Sequence, residues 1–209
     1  AGLRGVLGAG PMRMNQLVVR ETTAGLANYL LETVPACIER GVVVAYDGRH
    51  GSFTFAQDAA SVLSAFGFKV HLASQTLPTP VAAYGVRYFG AAAGIMVTAS
   101  HNPPEYNGFK MCRGTAAMAG DEIQQLRAVF EEGNFNTGEG QIFSTDGFLD
   151  TYVEHVTSCA DAPQRSVKVV IDSANAVPGP FMLDLCNRLG CEVIDLYCDW
   201  DNTFPNHPP

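Results

Sequence analysis

The chain has 209 residues, a formal net charge of −8 at pH 7, 47% hydrophobic residues and only 16% charged ones. Such a composition can bury a sizeable core, in one large domain or in one domain and part of another. The acidic balance argues against nucleic-acid binding, which needs a basic face, and no stretch approaches the ~18 consecutive apolar residues of a membrane span.

Residues 1–14 hold Gly2, Gly5, Gly8 and Gly10 together with Arg4 and Arg13. This is too rich in glycine for a helix and reads as a loop with short strands. Residues 15–38 place Leu17, Val18, Leu26, Tyr29 and Leu30 partly at helical spacing. Val42–Tyr46 reads as a buried strand, and Asp47–Ser52 as the loop after it. A helix is expected over 53–66, with Ser52 as its N-cap and Gly67 as its stop. Phe68–Leu72 is a second strand. Pro78-Thr79-Pro80 opens a helix to about Phe89, Ala91–Val97 is a third strand, and Phe109–Cys112 a short returning one.

Alternation of strand and helix from 41 to 98 points to an α/β layer. Helices are expected over 121–132 and 148–158, with a polar loop at 133–140 and a linker at 159–166. A strand at 167–171, a helix at 179–189 and a strand at 192–196 then make a unit of the size of one βαβ. The expected fold class is therefore α/β: a layered α/β/α domain with a mixed sheet over 1–165, followed by the start of a second, similar α/β domain over 166–209. One such unit cannot close a core alone. The chain also begins without methionine and ends on Asn206-His207-Pro208-Pro209, so a fragment is expected.

Six cysteines stand at 37, 112, 159, 186, 191 and 198, with no Cys-x-x-Cys pair. The steps of five and seven among the last three do not match a zinc pattern. Reduced, mostly buried thiols are expected, which suits a reducing, cytoplasmic setting. His71 falls in a strand and His155 in a helix, and both read as structural.

The densest chemistry lies in residues 98–110, TASHNPPEYNGFK. Ser100 follows a buried strand, at the end where α/β proteins tend to place ligands. A serine hydroxyl is a poor nucleophile without a base, a metal or a strong positive field. Lys110 and Arg4 are candidates for that field, lysine as a point contact to phosphate and arginine as a fork. His101 could orient or donate, Asn102 could hold the loop by bonding its own backbone, and Pro103 and Pro104 stiffen the exit. Arg49 and His50 lie in a different strand-to-helix loop.

TASHNPPEYNGFK resembles the active-site serine loop of the α-D-phosphohexomutases, the phosphoglucomutase/phosphomannomutase family. AGLRG…RMN at the start, YDGRHGSFTFA and TLPTPVAAYGVRYFGAAAGIMVTASHNP extend the likeness over about residues 1–113, and 167–196 resembles the opening of the family's second domain. RMN leans toward the phosphoglucomutase/phosphopentomutase branch. The resemblance implies a phosphohexomutase that exchanges sugar 1-phosphate and 6-phosphate through a phosphoserine and a sugar bisphosphate, which also serves as activator. It implies Ser100 as the phosphoserine and a ligand of Mg²⁺, His101, Lys110 and Arg4 as catalytic, and Arg13 and Asn102 as substrate-binding. The implied partners are a phosphosugar, most readily a glucose phosphate, and the remaining domains of the same chain, with no nucleic acid and no membrane.

One departure stands out. The family's Asp-x-Asp-x-Asp metal loop is absent from these 209 residues, so this stretch alone is expected to be inactive. The competing expectation is a naturally short relative that binds a phosphosugar or a partner without turnover; a reading frame running past Pro209 would separate the two. A hydrolase would need a Gly-x-Ser-x-Gly elbow, and Ala99 and His101 flank the serine instead. Gly8-x-Gly10 lacks the third glycine of a dinucleotide fingerprint.

Overall fold

The computed structural model describes residues 2–118, 120–131, 137–161 and 163–208. In chain order the elements are β1 (Leu3–Val6), α1 (Gln16–Thr33), α2 (Cys37–Arg40), β2 (Val42–Tyr46), α3 (Ser52–Ala65), β3 (Lys69–Leu72), α4 (Thr79–Tyr88), β4 (Ala93–Val97) and β5 (Tyr106–Arg113). Then come β6 (Ala116–Ala117), α5 (Asp121–Glu131), β7 (Gln141–Ser144), α6 (Phe148–Ser158), β8 (Lys168–Asp172), α7 (Pro178–Arg188) and β9 (Glu192–Leu196).

One sheet runs in the order β1-β5-β4-β2-β3-β7, with β6 folded back on β5. Strands β4, β2, β3 and β7 are parallel, whereas β5 is antiparallel to both β4 and β1. The sheet is therefore mixed. Its two faces follow from the period of two along each strand. Val44, Ile95 and Met111 stand in register on one face, in the main core with residues of α1 and α3. Val43, Gly94 and Cys112 stand in register on the other, where Gly94 lets Val86 of α4 approach.

Several expectations are corrected. Ser52 does not cap α3: the cap is Gly51, with left-handed backbone at φ +77°. The Ser52 hydroxyl instead donates to Asp47 Oδ1 at 2.7 Å and accepts from Asn107 Nδ2 at 2.9 Å. The strand expected over 109–112 runs from Tyr106, because Asn107 and Gly108 pair with β1 rather than turning. A short edge strand, β7, follows the polar loop, whose residues 133–136 lie outside the described residues. The cysteines are all free, but Cys159 is exposed and Cys112 and Cys191 are only half-buried.

The second unit is a two-stranded parallel pair, β8-β9, with α7 against it and a small cluster around Ile171, Cys186 and Cys198. Helix α6 touches both units: Phe148, Tyr152 and His155 ring Tyr84 of α4, and Tyr152 also meets Phe181 of α7. Among the described residues no helix is long and apolar enough to cross a membrane.

Candidate active site

Strand β4 ends at Val97, and the chain then turns sharply. Thr98 N–H is held by the Gly108 carbonyl at 3.0 Å, Ser100 N–H by the Thr98 hydroxyl at 2.9 Å, and Asn102 N–H by the Ala99 carbonyl at 3.2 Å. Ser100 itself has left-handed backbone, φ +58°, which costs a non-glycine residue about 1–2 kcal/mol. The surroundings enforce that conformation and leave Ser100 exposed at the loop's tip.

The chief restraint is Arg49, 7% exposed. Its Nη2 donates to the carbonyls of Ser100 at 2.5 Å and Asn102 at 2.7 Å, and its Nη1 to those of Pro103 at 2.9 Å and Tyr106 at 3.3 Å. Nε faces Asp47 Oδ2 at 3.4 Å. One planar fork thus gathers four carbonyls of one loop, a geometry arginine provides and lysine cannot. Burial lowers the pKa of Arg49 and the Arg4 charge acts the same way, while Asp47 opposes them. Sequence reasoning placed Arg49 in a loop but had no local signal for this role.

Asn107 is a second unforeseen support. It is fully buried and its Nδ2 donates to the His50 carbonyl and the Ser52 hydroxyl, both at 2.9 Å. Asp47, Ser52 and Asn107 therefore join the loop after β2 to the start of β5. Asn102 departs from expectation: its side chain does not bond its own backbone but accepts from Arg4 Nη1 at 3.2 Å. Arg4 pairs across the sheet with Gly108, where any Cβ would collide with the Thr98 and Leu3 carbonyls and crowd the arginine stem. Gly108 is needed for this close approach.

Lys110 lies two residues along β5 from Gly108, opposite Met96 and on the same face. Burial lowers its pKa below the ordinary 10.5, Arg4 adds to the shift, and Asp47 partly offsets it. Arg4 thus acts on both Arg49 and Lys110, and the carboxylate that acts on both, Asp47, is already engaged. His101 lies exposed beside Ser100. Arg13 is placed differently: its stem lies against Gly8, in a loop that Asn15 clamps by donating to the Gly8, Gly10 and Arg13 carbonyls.

Ser100 and His101 open on a cleft of about 290 Å³ bordered by Thr79, Met96, Trp200 and Phe204. A larger cleft, about 920 Å³, lies between α4, β5 and α6 and shares only Lys110 with the expected catalytic residues. Among the described residues no group of three or more His, Cys, Asp or Glu could hold a metal ion. Ser100 offers one oxygen, and both Asp47 oxygens are bound to Ser52 and Arg49. Mg²⁺ takes about six oxygen ligands, so these residues do not by themselves fit it.

The family description "Phosphoglucomutase/phosphomannomutase, alpha/beta/alpha domain I" matches residues 1–137, and that of domain II matches 150–209. A probable phosphomannomutase of Haemophilus influenzae is 33% identical over 207 residues, covering 93% of this chain and 42% of the relative. A phosphoglucomutase of Staphylococcus haemolyticus is 31% identical, covering 98% of this chain and 40% of the relative. A probable phosphoribomutase of Schizosaccharomyces pombe is 46% identical over 114 residues, 54% of this chain and 19% of the relative. A crystal structure of a phosphoglucomutase/phosphomannomutase family protein from Burkholderia thailandensis superposes with a TM-score of 0.85 at 34% identity, over 99% of this chain and 45% of that one. The chain thus spans about two fifths of the length of the curated relatives that it matches end to end.

Proposed function

The chain belongs to the phosphoglucomutase/phosphomannomutase family, and we propose that it is the front portion of a phosphohexomutase in which Ser100 carries the transferred phosphoryl group. The observation behind this reading is the serine loop itself. Ser100 stands on left-handed backbone at the end of a central strand, with Arg4 and Arg49 bonded to its loop and Lys110 beside them.

Phosphoryl transfer asks the protein for positioning and charge neutralisation more than for covalent chemistry. In the forward half-reaction the bond between phosphorus and the Ser100 oxygen breaks, and a bond forms from phosphorus to a hydroxyl oxygen of the sugar monophosphate. The proton lost by the sugar hydroxyl replaces the one that Lys110 gives to the departing serine oxygen, so the amine ends the half-reaction protonated as it began. Lys110, protonated, faces the moving anionic group and supplies the serine oxygen's proton. Arg4 holds Asn102 and adds positive charge, Arg49 fixes the loop, and His101 orients the incoming phosphosugar. The resulting sugar bisphosphate turns over and returns its other phosphoryl group to Ser100, so the net change is between 1-phosphate and 6-phosphate.

Glucose phosphates are the proposed substrates, a sugar bisphosphate the activator, and the cytoplasm the proposed location, in keeping with six free cysteines. Mg²⁺ is the proposed cofactor. Phosphorylated Ser100 would supply one ligand, and the others would come from residues outside these 209. These residues alone are therefore proposed to be inactive, and Arg13 is retained as a substrate-binding candidate for the assembled site. The test is conversion of glucose 1-phosphate by the longer protein. The serine-to-alanine variant Ser100→Ala should lose turnover while keeping its melting temperature; retained turnover would remove Ser100 from the mechanism.

A further inference from the structure

The tail after β9 is folded against both units. Asn175, on left-handed backbone and 7% exposed, organises it. Its N–H donates to the Tyr197 carbonyl at 2.7 Å and its Nδ2 to the Asp199 carbonyl at 2.8 Å. Its carbonyl accepts from Asp201 N–H at 2.8 Å and its Oδ1 from Asn206 Nδ2 at 2.7 Å. His207 Nε2 meets Asp172 at 2.9 Å and closes the far end.

So anchored, the tail reaches the loops of the first unit. Trp200 lies so close to Gly48 that a Cβ there would collide with the indole. Phe204 places its ring 5.7 Å from the Arg49 guanidinium carbon. An aromatic face over a guanidinium attracts it electrostatically and limits the tilt of its plane. That plane is the one from which Arg49 reaches four serine-loop carbonyls.

The geometry points to Phe204 as a positioning residue for the serine loop: through Arg49, the tail of the second unit sets the backbone on which Ser100 stands. The idea rests on the mutase reading for its effect on rate, though not for its effect on loop geometry. It links the two units without a moving part. A tail displaced from Arg49 loosens the fork, and four carbonyls lose a common restraint while Ser100 keeps all its neighbours in sequence.

The test uses the longer protein, with glucose 1,6-bisphosphate as phosphoryl donor and glucose 1-phosphate as substrate. Phe204→Leu keeps bulk without an aromatic face, and Phe204→Tyr keeps the face. Labelling of Ser100 and kcat should fall roughly ten- to a hundredfold in Phe204→Leu, as displaced catalytic groups do. KM should change little, and Phe204→Tyr should recover most of the rate. Hydrogen exchange of the amides from 98 to 106 should quicken in Phe204→Leu, with the melting temperature held. Wild-type rates together with unchanged exchange in Phe204→Leu would overturn the proposal and leave the mutase reading standing. If the unaltered protein takes no label on Ser100, the mutase reading falls, and the exchange of the loop amides alone decides the positioning role.

Discussion

Arg49 Nη2 donates to the carbonyl of Ser100 at 2.5 Å, so a buried guanidinium from the loop after β2 holds the residue at the tip of the loop after β4. This bond and its three companions explain how a non-glycine residue keeps a left-handed backbone while its hydroxyl stays exposed. A reactive group built on a strained, supported turn is preorganised for an incoming ligand.

Replacing Arg49 with lysine should therefore cost more than its charge conservation suggests. An ammonium is a point donor and cannot reach four carbonyls from one plane. Carbonyls left without partners, and Asp47 left with a poorer one, should lower stability by about 1–3 kcal/mol. Urea denaturation of Arg49→Lys measures this, and a midpoint equal to wild type would show that the fork is not needed.

Lys110 governs an expected pH dependence. Its pKa is lowered, first by burial and then by Arg4. Turnover that needs the protonated amine should be lost as pH rises through that lowered value, below the ordinary 10.5. Lys110→Met should lower kcat roughly a hundredfold or more and abolish the alkaline limb. A pH profile unchanged in Lys110→Met would remove the amine from proton transfer, and a pure rise in KM would assign it to binding.

His71 should make the fold sensitive to acid. It is buried in β3 between Phe89 and Phe143, its Nε2 has no hydrogen-bond partner, and its pKa is lowered by burial and, secondarily, by Lys69. The folded protein thus resists protonation more than the unfolded chain, whose histidine titrates near 6.5. Stability is full above that pH and falls as pH drops from 6.5 through the lower folded value, where the unfolded state binds the extra proton. Urea midpoints at successive pH values should decline over this window in the wild type and decline less in His71→Leu. Equal slopes would show that other groups carry the acid sensitivity.

Asn15 should matter for the opening loop. Its Oδ1 accepts from Val18 N–H and caps α1, while its Nδ2 serves the carbonyls of Gly8, Gly10 and Arg13. Asn15→Ala should cost about 1–2 kcal/mol from the cap and should also quicken hydrogen exchange near Gly8. A loss of stability without faster exchange would confine the residue to capping.

Much of the fold was legible where local pattern and burial agree. Val42–Tyr46 and Ala93–Val97 are short apolar runs, buried throughout and followed by loops, and α6 shows its helical spacing plainly. Sequence reading lost the start of β5 because Asn107 and Gly108 have the look of a turn. They are drawn into the strand by pairing with Gly5 and Arg4, a long-range effect with no local mark. It lost β7 because Gln141–Ser144 is short, exposed and held only at the sheet edge by β3.

The site divides in the same way. Ser100, Lys110 and Arg4 were named as candidates from contiguous motifs, and Arg4 is tied to the serine loop through Asn102. Arg49, Asn107 and Phe204 were not so named, because each acts on backbone or side chains 50 or more residues away. Such roles depend on strand order, and strand order is not written in the spacing of side chains.

The most direct measurement is to expose the longer protein to glucose 1,6-bisphosphate and map phosphate by peptide mass spectrometry, followed by a chase with glucose 1-phosphate. Phosphate should appear on Ser100 and be lost during the chase at a rate no slower than turnover. Turnover with Ser100 unmodified, or phosphate on Ser100 that the sugar never removes, would contradict Ser100 as the carrier of the transferred phosphoryl group.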